Sequence, residues 1–203
     1  MSAGLPGSDH KKLEILTAAR GVFLREGYPA TGMEVVARSA SVSTATLYAY
    51  FPSKAKLFEA VVHHTVRDMG APVRQSAHAS GDARSRLMAL ALSYADFLSR
   101  PATRAVFRLM ATERRRFPDS ADQLLRQARS DVGGAAIALI GELSKAGALK
   151  VKKASWAAGQ LLGMLEHPTL TLGITAGDHT EARRPLDDIC EDAVETFLAR
   201  YGG

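Results

Sequence analysis

The chain has 203 residues, 46% of them hydrophobic, and a single cysteine, Cys190; this excludes wholesale disorder, an internal disulfide and a cysteine-based zinc site. Ala/Leu-rich stretches at 87–98 and 135–149 are broken by charged residues and glycine, so no bilayer span is expected. The net charge of +5 is uneven, with 8 basic against 6 acidic residues over 1–70, 11 against 5 over 71–130, and 7 against 10 over 131–203, so charge alone does not say which segment would meet an anionic partner.

The N-terminus, MSAGLPGSDHKK, lacks the basic-then-apolar order of a signal peptide, and a cytoplasmic chain is expected. Apolar residues then recur at three- and four-residue steps without sustained alternation, which predicts an all-α fold of about nine helices. A first helix is expected over 9–26, capped by Ser8 or Asp9, with Ile15, Ala18, Ala19, Val22 and Phe23 inward and Gly27 as its stop. Thr31 and Glu34 have the spacing of a capping box at the start of a second helix over 32–39. Ser41-Val42-Ser43 is a turn, and a third helix over 44–51 puts Leu47 and Phe51 on one face. Two short helices joined so closely make a helix-turn-helix. Pro52-Ser53 opens a fourth helix over 54–68, with Leu57, Phe58, Val61, Val62 and Thr65 inward and Gly70-Ala71-Pro72 as its end.

The polar stretch 75–81 reads as a linker or loop and places a domain boundary near 70–80, giving residues 1–70 and 71–203. Longer helices are expected over 83–99, 102–115, 119–146, 154–172 and 182–200.

The segment 44–51 has two unlike faces. Opposite Leu47 and Phe51, residues Thr44, Ala45, Tyr48 and Ala49 project together, and their small surface lets such a helix enter a DNA major groove about 12 Å wide. The hydroxyls of Tyr48 and Tyr50 would reach phosphate oxygens. Ser53 and Lys54 bring a cap hydroxyl, backbone N–H groups and an ammonium together at the next helix start, which suits a DNA phosphate. A helix-turn-helix that only packs, with these residues as plain surface, is the alternative.

Gly27-Tyr28-Pro29-Ala30-Thr31, Ala37, Ala40-Ser41-Val42-Ser43, Thr46-Leu47-Tyr48, Tyr50-Phe51-Pro52-Ser53-Lys54 and Leu57-Phe58 together resemble the DNA-binding domain of the TetR (tetracycline-repressor) family of bacterial regulators, over about residues 10–65 without a gap. The chain departs from that family at Ser41, where glycine is usual, so a positive φ is expected there at some cost, and at Glu34, where a basic or polar residue is common. The resemblance implies an N-terminal three-helix helix-turn-helix domain in which Thr44 and Ala45 approach bases. It further implies that Thr46, Tyr48 and Tyr50 fix phosphates or sugar, that Lys54 grips a phosphate, that Thr31 contacts the DNA backbone, and that Ser43 belongs to the DNA-binding set.

Further along, Phe107-Arg108-Leu109-Met110, Glu113, Arg116-Phe117-Pro118-Asp119 and the helix to Gly147 resemble the C-terminal domain of AefR-like members, which implies a larger helical effector-binding and dimerisation domain. Phe97, Phe107, Met110, Trp156, Gln160, Met164 and His167, with Glu113, are the candidate lining of a pocket for a small apolar or aromatic effector. Ordinary core packing is the alternative for each. The last helix carries Leu186, Ile189, Cys190, Ala193, Val194, Phe197, Leu198 and Tyr201, an apolar stripe wide enough to suggest burial against a second copy.

The six histidines are scattered and no phosphate loop occurs, so neither catalysis, a metal nor a cofactor is expected. The combined expectation is a homodimeric, ligand-responsive repressor on a near-palindromic double-stranded DNA operator, with no membrane partner. A helical architectural protein that binds DNA without an effector is the alternative.

Overall fold

Helix α1 (Pro6–Ala30) is broken at Gly27, whose φ of 74° and ψ of 167° leave the helical region as the sequence reading expected. The computed structural model describes residues 6–119, 122, 126–127, 129–176 and 184–203. The chain divides into two units, Met1–Val66 with Leu109–Leu124, and Arg67–Arg108 with Leu125–Gly203. Among the described residues the architecture is all-helical, with no strand and a lone antiparallel bridge between Leu149 and Gly202. No described helix is long and apolar enough to cross a membrane.

The first unit is built on α1, α2 (Met33–Ser39), α3 (Thr44–Tyr50) and the start of α4 (Lys54–Ser76). Ile15, Ala19, Val22 and Phe23 recur at helical spacing and are buried, Ala18 being half-buried; Leu47, Phe51, Leu57, Phe58, Val61, Val62 and Thr65 are buried as expected. Phe58 sits at the centre of an aromatic cluster, with ring centroids 5.2 Å from Phe23, 5.0 Å from Tyr28 and 4.9 Å from Phe117. Phe117 also meets Tyr28 edge-on at 4.8 Å. Phe117 thus packs within the first unit, which takes in Leu109–Leu124, a partition that a single boundary near 70–80 does not contain.

The capping box expected from Thr31 and Glu34 does not form. Thr31 is 2% exposed, its hydroxyl donates to the Gly27 carbonyl at 2.7 Å, and the N-cap of α2 is Gly32, with no side-chain cap. The cap position falls on Gly32, one residue past Thr31, so the threonine side chain is out of register with the Glu34 N–H.

The turn between α2 and α3 closes as a Schellman motif. Val42 N–H donates to the Ala37 carbonyl at 3.0 Å and Ser41 N–H to that of Arg38 at 3.2 Å. The left-handed position falls on Ser41, with φ 54°, as expected from its replacement of glycine. Ser41→Gly should therefore raise stability by up to about 1 kcal/mol, read as a higher melting temperature; a fall would show that the serine side chain outweighs its backbone strain.

In the second unit, α4 does not stop at Gly70-Ala71-Pro72 but continues to Ser76. Tertiary contacts carry it past the breakers: Val73 is fully buried and Arg74 pairs with Asp131 at 3.1 Å. The stretch 75–81 is a packed loop rather than a linker, with Ala77 buried and Asp82 capping α5 (Ala83–Ser99) by accepting from Ser85 N–H at 2.8 Å. Then come α6 (Pro101–Glu113), a π-helical turn Arg129–Gly133 leading into α7 (Gly134–Lys145), α8 (Ala154–Glu166), a second π-turn His167–Thr171 running into α9 (Leu172–Ala176), and α10 (Leu186–Tyr201). The helix expected over 119–146 and the start of that over 182–200 fall partly outside the described residues; α1 begins at Pro6, so Ser8 and Asp9 lie within its first turn rather than at its cap. Leu87, Leu90, Leu98, Leu139, Ile140 and Leu161 fill the core of this unit. Cys190 is fully buried and its thiol is pushed up to about 11, chiefly by burial, which marks it as a packing residue.

Most of the mid-chain arginine surplus is spent inside the chain. Arg84 bridges Glu191 and Glu195 of α10, each at 2.6 Å, and Arg86 holds Glu142 at 2.8 Å. The acidic surplus of the C-terminal third is the counterpart of that basic surplus.

Candidate nucleic-acid interface and the helical second unit

Helix α3 is presented by two devices. Leu47, fully buried, and Phe51, 4% exposed, anchor one face. Ser43 caps the start, accepting from Thr46 N–H at 3.0 Å while its hydroxyl lies 2.8 Å from that of Thr46. This leaves Thr44, Ala45, Tyr48 and Ala49 exposed on the other face. The outward surface is small and uncharged, and Tyr48 at 47% exposure is its only large member. Tyr50 is half-buried against Phe51, centroids 6.5 Å apart. Ser43 and Thr46 serve the cap first, a role that sequence spacing alone left open.

Lys54 opens α4, but its ammonium is turned back onto the chain. It donates to the carbonyls of Pro29 at 3.0 Å and Thr31 at 2.8 Å and lies 4.7 Å from the centroid of the Tyr28 ring. Two of its three protons are thereby used, so Lys54 ties the break after Gly27 to the start of α4. Ser53 caps that start, accepting from Lys56 N–H at 3.2 Å. Arg116 covers Tyr28 too, 5.1 Å from its centroid, while pairing with Glu113 at 3.5 Å. Burial is the main cause that raises the Tyr28 hydroxyl above its ordinary range.

The eight residues expected to line an effector pocket divide between the two units. Met110 and Glu113 are buried but belong to the first unit. In the second unit Phe97 is buried and stacks near Tyr94 at 6.3 Å, and Phe107 and Met164 are half-buried. Trp156 is 70% exposed, and Gln160 and His167 are exposed too. The reason is the register of α8, whose inner face is taken by Ala157, Ala158, Leu161, Leu162 and Leu165. Glu166 accepts from the Tyr94 hydroxyl at 2.6 Å rather than acting beside His167. The apolar stripe of α10 is likewise consumed within the chain: Ile189, Cys190, Ala193, Val194 and Phe197 are buried, and Leu186, Leu198 and Tyr201 are half-buried. A cleft of about 520 Å³ lies between α8 and α10, lined by Gly159, Gln160, Gly163, Met164, Thr196, Phe197, Arg200 and Tyr201. Tyr201 hydrogen-bonds Gln160 across it.

Comparison with known proteins places this geometry. Residues 15–61 match the family of bacterial regulatory proteins of the tetR type, and residues 85–203 match the C-terminal domain of AefR-like transcriptional repressors. The chain belongs to the TetR family. Its helix-turn-helix is therefore a DNA-binding element and the protein is a transcriptional regulator. Among relatives of this TetR-family chain, the transcriptional activator FasR of Mycolicibacterium smegmatis is 38% identical over 90 residues, which span 44% of this chain and 41% of FasR. The chain thus matches less than half the length of that relative. A TetR-family transcriptional regulator of Mesorhizobium loti superposes with a TM-score of 0.88 at 26% identity, over 97% of this chain and 98% of the other. The flavonoid-responsive regulator FrrA gives a TM-score of 0.73 at 26% identity, over 96% and 98%.

Proposed function

We propose that this TetR-family protein acts as a homodimeric, ligand-responsive repressor that reads a near-palindromic operator through α3 and is released by a small apolar or aromatic effector. The observation that carries the DNA reading is the outward face of α3, where Thr44, Ala45, Tyr48 and Ala49 are exposed on a helix anchored by Leu47. Thr44 and Ala45 would meet base edges and thymine methyls, and Thr46, Tyr48 and Tyr50 the phosphates. Ser43 would act through its backbone and cap, and Thr31 through the chain geometry it fixes at Gly27 rather than through its hydroxyl.

A single α3 reads too few base pairs, and two-fold pairing supplies a second one turn of DNA away. The open face of α8 suits that pairing. Trp156 is exposed, and a Cβ added at Gly159 or Gly163 would meet nothing within 4 Å, so a second copy could lay a helix closely over this face and cover the cleft against α10. The relative FrrA is described as flavonoid-responsive, which favours an aromatic effector.

Lys54 decides how much of the head's affinity is electrostatic. Lys54→Ala should weaken operator binding and lower the slope of log affinity against log salt by about 1 if its third proton meets a phosphate. It should also destabilise the head, because the carbonyls of Pro29 and Thr31 lose their donor. Fluorescence anisotropy across a salt series measures the slope; an unchanged slope with lowered stability would assign Lys54 to the tie alone.

A further inference from the structure

Arg104 on α6 is 7% exposed, and its Nε is sealed from solvent with no hydrogen-bond partner. Guanidinium groups are rarely so buried unless an anion accompanies them, because the lost hydration must be replaced. The half-buried Arg74 and Arg86 each pair with a carboxylate, Asp131 and Glu142, although the Nε of Arg86 is likewise sealed without a partner. Arg104 has no such carboxylate among the described residues.

Its seat is specific. The guanidinium lies directly over Gly173 of α9, where an added Cβ would fall 2.5 Å from Nε and 2.6 Å from Cδ and Cζ. A side chain at position 173 would require the Arg104 guanidinium to move. One turn further along α6, Arg108 donates to the carbonyl of the same Gly173 at 3.4 Å. Two guanidinium groups therefore bracket one glycine, immediately after the π-turn His167–Thr171, and π-turns recur at functional positions.

We infer that Arg104, beside Arg108 and over Gly173, receives the anionic group of the effector, a carboxylate or a phosphate, so that the effector is an apolar body bearing an acid. This rests on the reading of the protein as effector-binding and narrows the ligand class. A neutral apolar compound would leave the buried cation uncompensated, whereas an acid would be held by charge-assisted, bidentate hydrogen bonds.

Calorimetric titration of the full chain with decanoate, decyl phosphate and decanol at fixed ionic strength tests it. The wild type should bind at least one of the two acids tenfold or more tightly than decanol, the better acid telling carboxylate from phosphate. In Arg104→Met that preference should shrink to within twofold while decanol binding is unchanged, and Arg104→Lys should restore part of it. Decanol binding as tightly as both acids, or a preference that survives in Arg104→Met, would overturn the anion site and leave the effector reading intact. No binding of any of the three would count against the anion site and leave the reading of an aromatic effector intact. The competing internal partners are Asp178 and Glu181, the carboxylates that next follow α9 in the sequence. If the Asp178→Asn, Glu181→Gln double variant lowers the melting temperature as much as Arg104→Met and neither alters acid binding, the cation is neutralised within the chain and the inference fails.

Discussion

Phe58→Ala is expected to unfold the DNA-binding unit at temperatures where the wild type is intact, at a cost of about 3–5 kcal/mol. Phe58 has no solvent-exposed surface and its ring touches Phe23, Tyr28 and Phe117, so truncation removes apolar burial and three aromatic contacts at once. Such a loss takes most of the stability typical of a unit this small, which is on the order of 5 kcal/mol. Lys54 and Arg116 both lie over the Tyr28 ring, and loosening that ring also frees the tie between the Gly27 break and α4. Calorimetric unfolding and operator binding measured together check this. A shift of only a degree or two with full DNA binding would mean that the cluster repacks around the gap.

Trp156→Glu should have the second large effect, and on assembly rather than folding. At 70% exposure the indole contributes little to the monomer, so the variant should melt within about a degree of wild type, as surface substitutions generally do. If the face of α8 meets a second copy, the substitution buries carboxylates in that contact without partners. The mass by light scattering at micromolar concentration should then fall from twice 21.7 kDa to 21.7 kDa. Operator affinity should fall by about 100-fold or more, because specific half-sites are bound jointly only by the dimer. A wild-type monomer, or a Trp156→Glu dimer, would contradict the proposed interface.

The first unit was more legible in the sequence than the second, for a physical reason. Helix spacing places residues on faces, and in α1, α3 and α4 the apolar face and the core coincide, so Ile15, Leu47 and Phe58 went where periodicity put them. The departure at Ser41 from an expected glycine correctly marked a left-handed backbone position. Periodicity does not reveal which partner a polar group chooses across the fold. Lys54 found the carbonyls of Pro29 and Thr31, more than twenty residues away, and Thr31 preferred Gly27 to Glu34. Nor does it choose between two apolar faces on one helix. On α8 the alanine and leucine face packed inward and Trp156, the larger residue, was left outside. Phe117 packs on Tyr28 and Phe58 in the first unit, more than fifty residues away in the sequence, which periodicity along one helix has no means of showing. The arginine surplus was visible as a count, and only the fold showed it to be mostly paired, with Arg104 as an exception.

The central claim, that α3 reads DNA, is tested most directly by footprinting wild type and Ala45→Glu on genomic fragments. Ala45 is exposed and touches no core residue's place in α3, so the variant should fold normally, and circular dichroism verifies this. The wild type should protect a nearly two-fold-symmetric site whose half-sites lie about 10 base pairs apart, on successive major grooves. Ala45→Glu should abolish that protection, since it sets a carboxylate against base edges and phosphates. Protection with no sequence preference, or a footprint unchanged in Ala45→Glu, would show that α3 does not read the operator.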